Sequence, residues 1–237
     1  MLGWGDPYIV CEDADIEKAS SGAGMGRFIN FGQSCIAWKH SIVVKKIATE
    51  FIEKFVEKTE KLKIGDPLKN DTDIGPLVNS DGLEKIDSKV KDFIKEGAEA
   101  LTGGEPVKGK GYFYKPTVFK DVTPKKRITQ EEVFVPVVPI ITADDQIESI
   151  KLANDTEYGL GASMWIEDLE KADKFSQMVQ SGVVSVNNIV ASDPRVPFGG
   201  VKKSGFGRKL SRCGMLEFVN IKTGRFYDQL VHQHHVE

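Results

Sequence analysis

VPVVPIITADDQIESIKLANDTEYGLGASMWIEDLEKADKFSQMVQSGVVSVN, residues 135–187, is the stretch of sequence that decides the fold. Its short apolar runs VPVVPII, ASMWI and GVVSVN predict buried strands, and the segments DQIESIKLAND and EKADKFSQMV between them predict helices. Strands that alternate with helices form parallel sheets covered by helices on both faces. The stretch therefore predicts an α/β fold with three layers.

The N-terminal half shows the same alternation. PYIV and SIVV predict two further buried strands, and DADIEKASSGAGMGRFI, which opens on acidic residues suited to capping, predicts a helix between them. ATEFIEKFVEKTEKL and LEKIDSKVKDFIKEG predict amphipathic helices, the second of which ends at Gly97 as a C-cap. No repeat, low-complexity segment or linker divides the chain, so one large domain is expected.

The end of the chain, residues 218–237, starts like a strand and finishes in a polar tail that contains His234 and His235. These paired histidines could be metal ligands, but a frayed terminus is the favoured interpretation. No metal site is predicted.

Composition excludes several classes of protein. The 237 residues carry a net charge of -3, which gives no electrostatic case for nucleic acid. No apolar run approaches the roughly 20 residues that a membrane span needs, and the first residues do not resemble a signal peptide. The three cysteines are too few and too scattered for a disulfide framework, so a reducing cytoplasm is expected.

The most informative segment for chemistry is FINFGQSCIAWKH, residues 28–40. It places Cys35 between a predicted helix and a predicted strand, in a loop where rigid neighbours can aim an exposed side chain. A nucleophilic cysteine needs a stabilised thiolate, an approach for the substrate and backbone donors for the oxyanion. Taken alone, Cys35 is more often a small buried hydrophobe than a nucleophile.

Several motifs together resolve this choice. FGQSC, EEVFVPV at 131–137, and SDPRVPFGGVKKSGFGR at 192–208 resemble motifs of the aldehyde dehydrogenase superfamily in the family's order, and GDPLKNDTDIGPLV and LANDTEYGLGAS look like further family segments. The resemblance runs from about residue 2 to about residue 223, and the late segment is most similar to the succinate-semialdehyde dehydrogenase branch. It implies a catalytic domain over residues 1–217 and a strand for oligomerisation in 218–237.

The resemblance also implies a covalent route. The thiolate of Cys35 would attack an aldehyde to give a thiohemiacetal, hydride would pass to NAD or NADP, and water would hydrolyse the resulting thioester. The backbone N–H of Cys35 would help to hold the oxyanion.

By the same resemblance, three residues would contact the cofactor: Glu132 at the nicotinamide ribose, Phe134 beside the nicotinamide ring, and Gly3. Without the motif, a surface carboxylate would be favoured for Glu132 and a core aromatic for Phe134.

Three residues are assigned to the substrate, namely Ser34, Ser192 and Phe198. Ser192 could recognise a substrate carboxylate, and a turn built by Ser-Asp-Pro is an equal alternative. For Phe198 a packing role is equally open, and Arg195 is expected in solvent.

Four positions depart from the family pattern. Met1 stands where the family has the general-base Glu of a Glu-Leu-Gly-Gly motif, Trp4 replaces its second Gly, Val135 replaces a Gly, and His40 stands where Arg is common. The expectation is that this chain lacks both the base and the N-terminal cofactor domain and is inactive alone. Its expected partners are a small aldehyde and either further copies of itself or a separate cofactor-domain fragment. The alternative is a non-catalytic remnant that only folds or associates.

Overall fold

A computed structural model describes residues 6–120, 122–123 and 136–226. Within these ranges the strands are β1 Pro7–Val10, β2 His40–Val44, β3 Glu99–Thr102, β4 Thr117–Lys120, β5 Val137–Ala143, β6 Tyr158–Gly159, β7 Gly161–Trp165, β8 Val183–Val186 and β9 Val201–Lys202. The helices are α1 Ile16–Phe28, α2 Lys45–Glu60, α3 Ser80–Lys95, α4 Gln146–Asn154, α5 Leu169–Met178 and α6 Ser211–Leu216.

Seven of the described strands form one sheet in the order β3-β4-β5-β2-β1-β7-β8. Ile9 of β1 is in register with Ile42 of β2 on one side and with Met164 of β7 on the other, and both pairings are parallel. Only β3 runs antiparallel to its neighbour, β4. The small antiparallel pair of β6 and β9 lies apart from this sheet.

The two faces of the sheet bury different residues, because successive side chains of a strand point in opposite directions. Tyr8 and Val10 join the larger apolar core, which contains buried side chains of α1, α2 and α3. Ile9 and Cys11 join a second core that contains Ile150 of α4 and residues of α5. This arrangement confirms the predicted three-layer fold with a mostly parallel sheet.

Four of the described helices, α1, α3, α4 and α5, begin where a capping side chain accepts from an early N–H group, whereas α2 and α6 have no such cap. Asp15 accepts a hydrogen bond from the Lys18 amide at 3.0 Å, and Asn79 accepts one from Gly82 at 2.9 Å. The predicted end of α3 is confirmed, since Gly97 adopts a φ of 86°, the left-handed conformation that ends many helices.

Chain direction fixes where the cysteine lies. Strand β1 runs from the amino edge of the sheet to its carboxyl edge, and α1 brings the chain back to the amino edge. Residues 29–39 therefore lie beside the first residues of β1, β5 and β7. The hydrogen bond from the Lys39 amide to the Asp6 carbonyl, 2.9 Å long, joins this segment to the start of β1.

The described part of the C-terminal segment, residues 218–226, forms no strand and is exposed. The strand predicted there would pair with another subunit, and the structure contains a single chain, so its role in oligomerisation stays a prediction. His234 and His235 lie outside the described residues. Among those that are described, no helix has the length and apolar character to cross a membrane.

Candidate active site

A strained turn leads from α1 to Cys35. Asn30, Phe31 and Gly32 follow one another with φ values of 47°, 57° and 72°, all in the left-handed region. For residues other than glycine such a conformation costs about 1–3 kcal/mol and persists only where the surrounding structure enforces it. Here the ring of Phe31 is buried in the larger core, and the Asn30 carbonyl accepts from the Gln33 amide at 3.0 Å. Core packing therefore sets the direction in which the next residues leave the helix.

Cys35 lies exposed in the tight turn that follows. The turn is closed by a hydrogen bond from the Ala37 amide to the Ser34 carbonyl at 3.2 Å. Within the described part of the chain, the N–H of Cys35 donates to no acceptor. The predicted loop position is confirmed, and the turn offers both an accessible thiol and a backbone donor beside it.

The residues after Cys35 are held from the side of α1. Trp38 is buried, and its indole Nε1 donates to the Ala23 carbonyl at 3.2 Å. The guanidinium of Arg27 is also buried; it donates from Nη1 to the Trp38 carbonyl at 2.9 Å and from Nε to the Val137 carbonyl at 3.0 Å. One side chain thus joins the cysteine loop to the first residue of β5. Burial lowers the pKa of Arg27 to about 9, so the group remains protonated at neutral pH.

A buried lysine holds the other side of the loop. The ammonium of Lys39 donates to the Ser34 carbonyl at 3.4 Å. Beneath it lies the buried carboxyl of Asp6, whose Oδ1 accepts from the Gly161 amide at 3.0 Å. Burial raises the pKa of Asp6 to about 7, while the Gly161 hydrogen bond and the Lys39 charge lower it. The amino edge of the sheet therefore holds a buried carboxyl and a buried ammonium close to the cysteine loop.

His40 is the first residue of β2 and stands where the sequence resemblance leads one to expect an arginine. It is buried, and the loss of hydration lowers its pKa to about 4. The imidazole is therefore uncharged at neutral pH and adds no positive charge to the site.

The predicted substrate residues lie in different surroundings. Ser34 is half-buried next to Cys35, whereas Ser192 is exposed. Phe198 is only 1% exposed and packs with Leu160 and Val190 in a small apolar cluster. Ile36, the residue after Cys35, packs against the same cluster. Phe198 also lines a cavity bordered by Phe206 and Lys209, so the packing role and the predicted substrate role both stay open.

Arg195 lies in solvent, as expected, with its side chain 85% exposed. Its Nη2 contacts Asp193 Oδ2 at 2.6 Å, and its backbone amide donates to Asp193 Oδ1 at 2.9 Å. The guanidinium lowers the pKa of Asp193 to about 2. Asp193 therefore organises a turn here and pairs with Arg195, and the predicted role of Ser192 toward a substrate carboxylate stays a prediction.

The predicted cofactor contacts Gly3, Glu132 and Phe134 lie outside the described residues. The same holds for three positions that depart from the family pattern, Met1, Trp4 and Val135. Their roles stay predictions.

Sequence reasoning missed three charged residues of this site, Asp6, Arg27 and Lys39. One signal was available, since each charge lies close to an apolar run. Asp6 directly precedes PYIV, Lys39 lies two positions before SIVV, and Arg27 lies at the apolar end of α1. A charge next to a buried strand at the amino edge of a parallel sheet must either reach solvent or find a partner.

Comparison with known proteins agrees with this geometry. The sequence profile described as the aldehyde dehydrogenase family matches residues 2–224. A probable succinate-semialdehyde dehydrogenase (NADP(+)) of Synechocystis sp. is 45% identical over 222 residues, which are 94% of this chain and 49% of that protein. A succinate semialdehyde dehydrogenase (NAD(P)+) of Escherichia coli is 43% identical over 94% of this chain and 48% of its own length.

Solved structures give the same result. The crystal structure of betaine aldehyde dehydrogenase from Staphylococcus aureus in complex with NAD+ superposes with a TM-score of 0.88 at 33% identity, over 92% of this chain and 44% of that one. The chain spans about half the length of the curated relatives that it matches. With the family profile covering nearly all of the sequence, the chain belongs to the aldehyde dehydrogenase family.

Proposed function

We propose that this chain supplies the nucleophile of an aldehyde dehydrogenase that oxidises a small semialdehyde to a carboxylic acid. The observation that carries the proposal is the exposed thiol of Cys35 in a turn whose neighbours are buried and hydrogen-bonded on both sides. A nucleophile needs this combination, because the reacting atom must be accessible while the backbone that aims it stays fixed.

The proposed chemistry starts at the thiolate of Cys35. Its sulfur forms a bond to the carbonyl carbon, and the carbonyl oxygen becomes an oxyanion. This oxyanion can accept from the N–H of Cys35, which donates to no acceptor among the described residues. NAD or NADP, when bound, accepts the hydride that leaves this carbon. The thioester left on the sulfur is cleaved by water, which releases the carboxylic acid and returns the thiol.

A semialdehyde carrying a carboxylate is the proposed substrate, in line with the names of the two curated relatives. Ser192 is proposed to donate to that carboxylate, because its hydroxyl is exposed beside the Asp193 turn. Gly3, Glu132 and Phe134 are proposed to contact the cofactor. The free and exposed thiol suits a reducing compartment, and the cytoplasm is proposed.

A second candidate function is association without catalysis. The observation that favours it is a group of exposed aromatic side chains near the C-terminus, namely Phe206, Phe218 and Phe226. Exposed apolar groups of this kind are typical of surfaces that contact another chain. Oligomerisation through residues 218–237 is compatible with catalysis, and we propose it together with the enzymatic function.

The test is production of NADH or NADPH from succinic semialdehyde. The purified chain is assayed alone and together with the dinucleotide-binding fragment of a homologous enzyme, with Cys35→Ser as the inactive control and Cys213→Ser as the matched cysteine control. Reduced cofactor that requires Cys35 and not Cys213 supports the proposal. No turnover in either arrangement, from protein with a native circular dichroism spectrum, would leave association as the better description.

A further inference from the structure

A cavity of about 290 Å³ lies beside Phe198, and most of its wall comes from the loop between β9 and α6. Phe206 and Phe218 make part of this wall apolar, and both side chains are more than 90% exposed. Ligand sites in proteins span about 300–1,000 Å³ and combine apolar walls with a few well-placed polar groups. This cavity lies at the lower end of that range, so it suits a molecule of a few carbon atoms.

Lys209 places an ammonium on the same wall. Its Nζ lies 5.1 Å from the centre of the Phe198 ring, which is within the range of a cation–π contact. The residue is exposed, and no salt bridge joins its ammonium to a carboxylate of the described residues. An ammonium without a carboxylate partner of its own can form a charge-assisted hydrogen bond with an anionic ligand.

Two further charged side chains border the cavity. The guanidinium of Arg208 donates from Nη1 to the carbonyls of Gly200 and Gly207, at 2.8 and 3.0 Å, so it holds the loop together. The exposed carboxylate of Glu217 lies beside Gly207. The residues that line the cavity therefore carry two positive charges and one negative charge, an excess that favours an anion.

The backbone that presents this ammonium is fixed from two sides. The amides and carbonyls of Phe198 and Lys209 exchange a pair of hydrogen bonds, each 2.8 Å long. A Cβ at Gly214 would overlap the backbone of Lys209, so the start of α6 packs directly against it. The next two residues, Leu210 and Ser211, have φ values of 64° and 51°. Such left-handed conformations persist only where the surroundings enforce them, and they concentrate at ligand sites.

A shared apolar cluster joins this loop to the cysteine loop. Leu210 follows Lys209, Ile36 follows Cys35, and both packed side chains contact the cluster that contains Phe198. The ammonium and the thiol therefore each lie one residue away from a side chain that packs on the same cluster.

We propose that Lys209 is a specificity-determining residue whose ammonium pairs with the carboxylate of a short semialdehyde while Cys35 reacts with the aldehyde at its other end. The inference rests on the proposed function. Arg195, a cation of the predicted substrate segment, is already paired with Asp193. The hydroxyl of Ser192 supplies a neutral donor, so Lys209 provides the positive charge that a carboxylate requires.

The experiment measures how well aldehydes protect Cys35 of the full chain from iodoacetamide. Addition of the thiol to an aldehyde forms a sulfur–carbon bond and moves the thiol proton to the carbonyl oxygen, so it needs no cofactor and blocks alkylation. Succinic semialdehyde is compared with butanal, which has the same carbon chain without the carboxylate. Peptide mass spectrometry follows Cys35 separately from Cys213, and each protein is referred to its own rate without aldehyde.

Lys209→Gln removes the charge from the cavity. We expect it to raise the concentration of succinic semialdehyde that half-protects Cys35 by about tenfold, because a charge-assisted hydrogen bond is lost, and to change the value for butanal by less than about twofold. Lys209→Arg should keep most of the preference for succinic semialdehyde. An unchanged preference in folded Lys209→Gln would overturn the proposal.

Lys203→Gln is the matched control, because it removes the same charge from an exposed lysine of the same loop, one that pairs with Glu157. It should behave as wild type; a loss of preference equal to that of Lys209→Gln would show a general effect of charge and reject the specific role. If Lys209→Gln loses its native circular dichroism spectrum, Lys209→Met replaces it with the same expectations, since methionine keeps an apolar stem over the Phe198 ring.

Failure of the proposed function has a different signature. In that case neither aldehyde protects Cys35 in the wild type, and the cavity is tested with succinate by saturation-transfer difference NMR in Cys35→Ala. Transfer to succinate that disappears when Lys209→Gln is added supports the carboxylate site. No transfer to succinate in Cys35→Ala rejects it.

Discussion

The guanidinium of Arg27 donates from Nε to the carbonyl oxygen of Val137 at 3.0 Å, although the two residues lie 110 positions apart in the chain. Val137 begins β5, and the segment just before it holds the predicted cofactor contacts Glu132 and Phe134. The same guanidinium donates to the carbonyl of Trp38, three residues after Cys35. One buried side chain thus links the cysteine loop with the strand that follows the predicted cofactor segment.

Replacing this side chain should destabilise the protein strongly. Arg27→Met leaves two buried carbonyls without their donor, and each loss costs about 1–3 kcal/mol, so we expect the free energy of unfolding to fall by about 2–6 kcal/mol. Arg27→Lys retains the charge but not the planar pair of donors, and it should recover part of the loss. Urea unfolding measures both. An Arg27→Met variant as stable as wild type would show that water replaces the guanidinium.

Much of the fold was predictable from sequence because strands buried on both faces are nearly continuous apolar runs. PYIV, SIVV and VPVVPII are predicted in this way, and the acidic residues that open the α1 segment are predicted to cap it; the structure gives that role to Asp15. Strands β3 and β4 were missed. EALT at 99–102 is a half-exposed edge strand, and TVFK at 117–120 mixes polar and apolar residues, so neither differs from a loop in composition.

Of the candidate site, the sequence predicts only the loop that carries Cys35. The motif around Cys35 places this thiol between a helix and a strand, and the structure shows it exposed there. The roles of Asp6, Arg27 and Lys39 depend on which distant carbonyls they meet when the sheet forms, and no local pattern encodes a hydrogen bond between residues 110 positions apart. The burial of Phe198 was also undecidable, since its partners Leu160 and Val190 come from separate segments.

Replacing either of two glycines in α1 by alanine should change the stability of the protein in opposite directions. A Cβ at Gly22 would overlap the ring of Trp165, so Gly22→Ala should cost about 1–3 kcal/mol through overpacking. A Cβ at Gly24 would meet nothing within 4 Å, and Gly24→Ala should stabilise the helix by about 0.5–1 kcal/mol. Thermal unfolding of the pair is the measurement. Stabilisation by both changes would mean that α1 does not pack against Trp165 as described.

The rate of alkylation should distinguish the buried Cys11 from the exposed Cys35 and Cys213. Cys11 is 1% exposed, and burial, followed by the charges of Asp13 and Glu12, raises its pKa to about 12. We therefore expect iodoacetamide to modify Cys35 and Cys213 in the native protein and to reach Cys11 only after unfolding. Peptide mass spectrometry before and after addition of guanidinium chloride checks this. Rapid labelling of Cys11 in the native state would place it outside the second apolar core.

Stability should depend on pH through Asp6. Its folded-state pKa of about 7 lies above its ordinary value of 3.8, so the native state holds the proton more tightly than the unfolded chain does. The stabilising contribution is complete below about pH 4 and is lost as the pH rises through 7, a change of about 4 kcal/mol at most. His40 acts in the opposite direction, because its depressed pKa makes the native state less stable as the pH falls from about 6.5 to about 4.

The difference between wild type and Asp6→Asn isolates the carboxyl from His40. We expect wild type to lose stability relative to Asp6→Asn between pH 4 and pH 7, with the two curves parallel above about pH 8. Urea unfolding at a series of pH values gives the difference directly, and His40 cancels from it because both proteins contain the same imidazole. A difference that stays constant across this range would mean that Asp6 is ionised in the native state down to its ordinary pKa. In that case the Gly161 hydrogen bond and the Lys39 charge together offset the burial of the carboxyl.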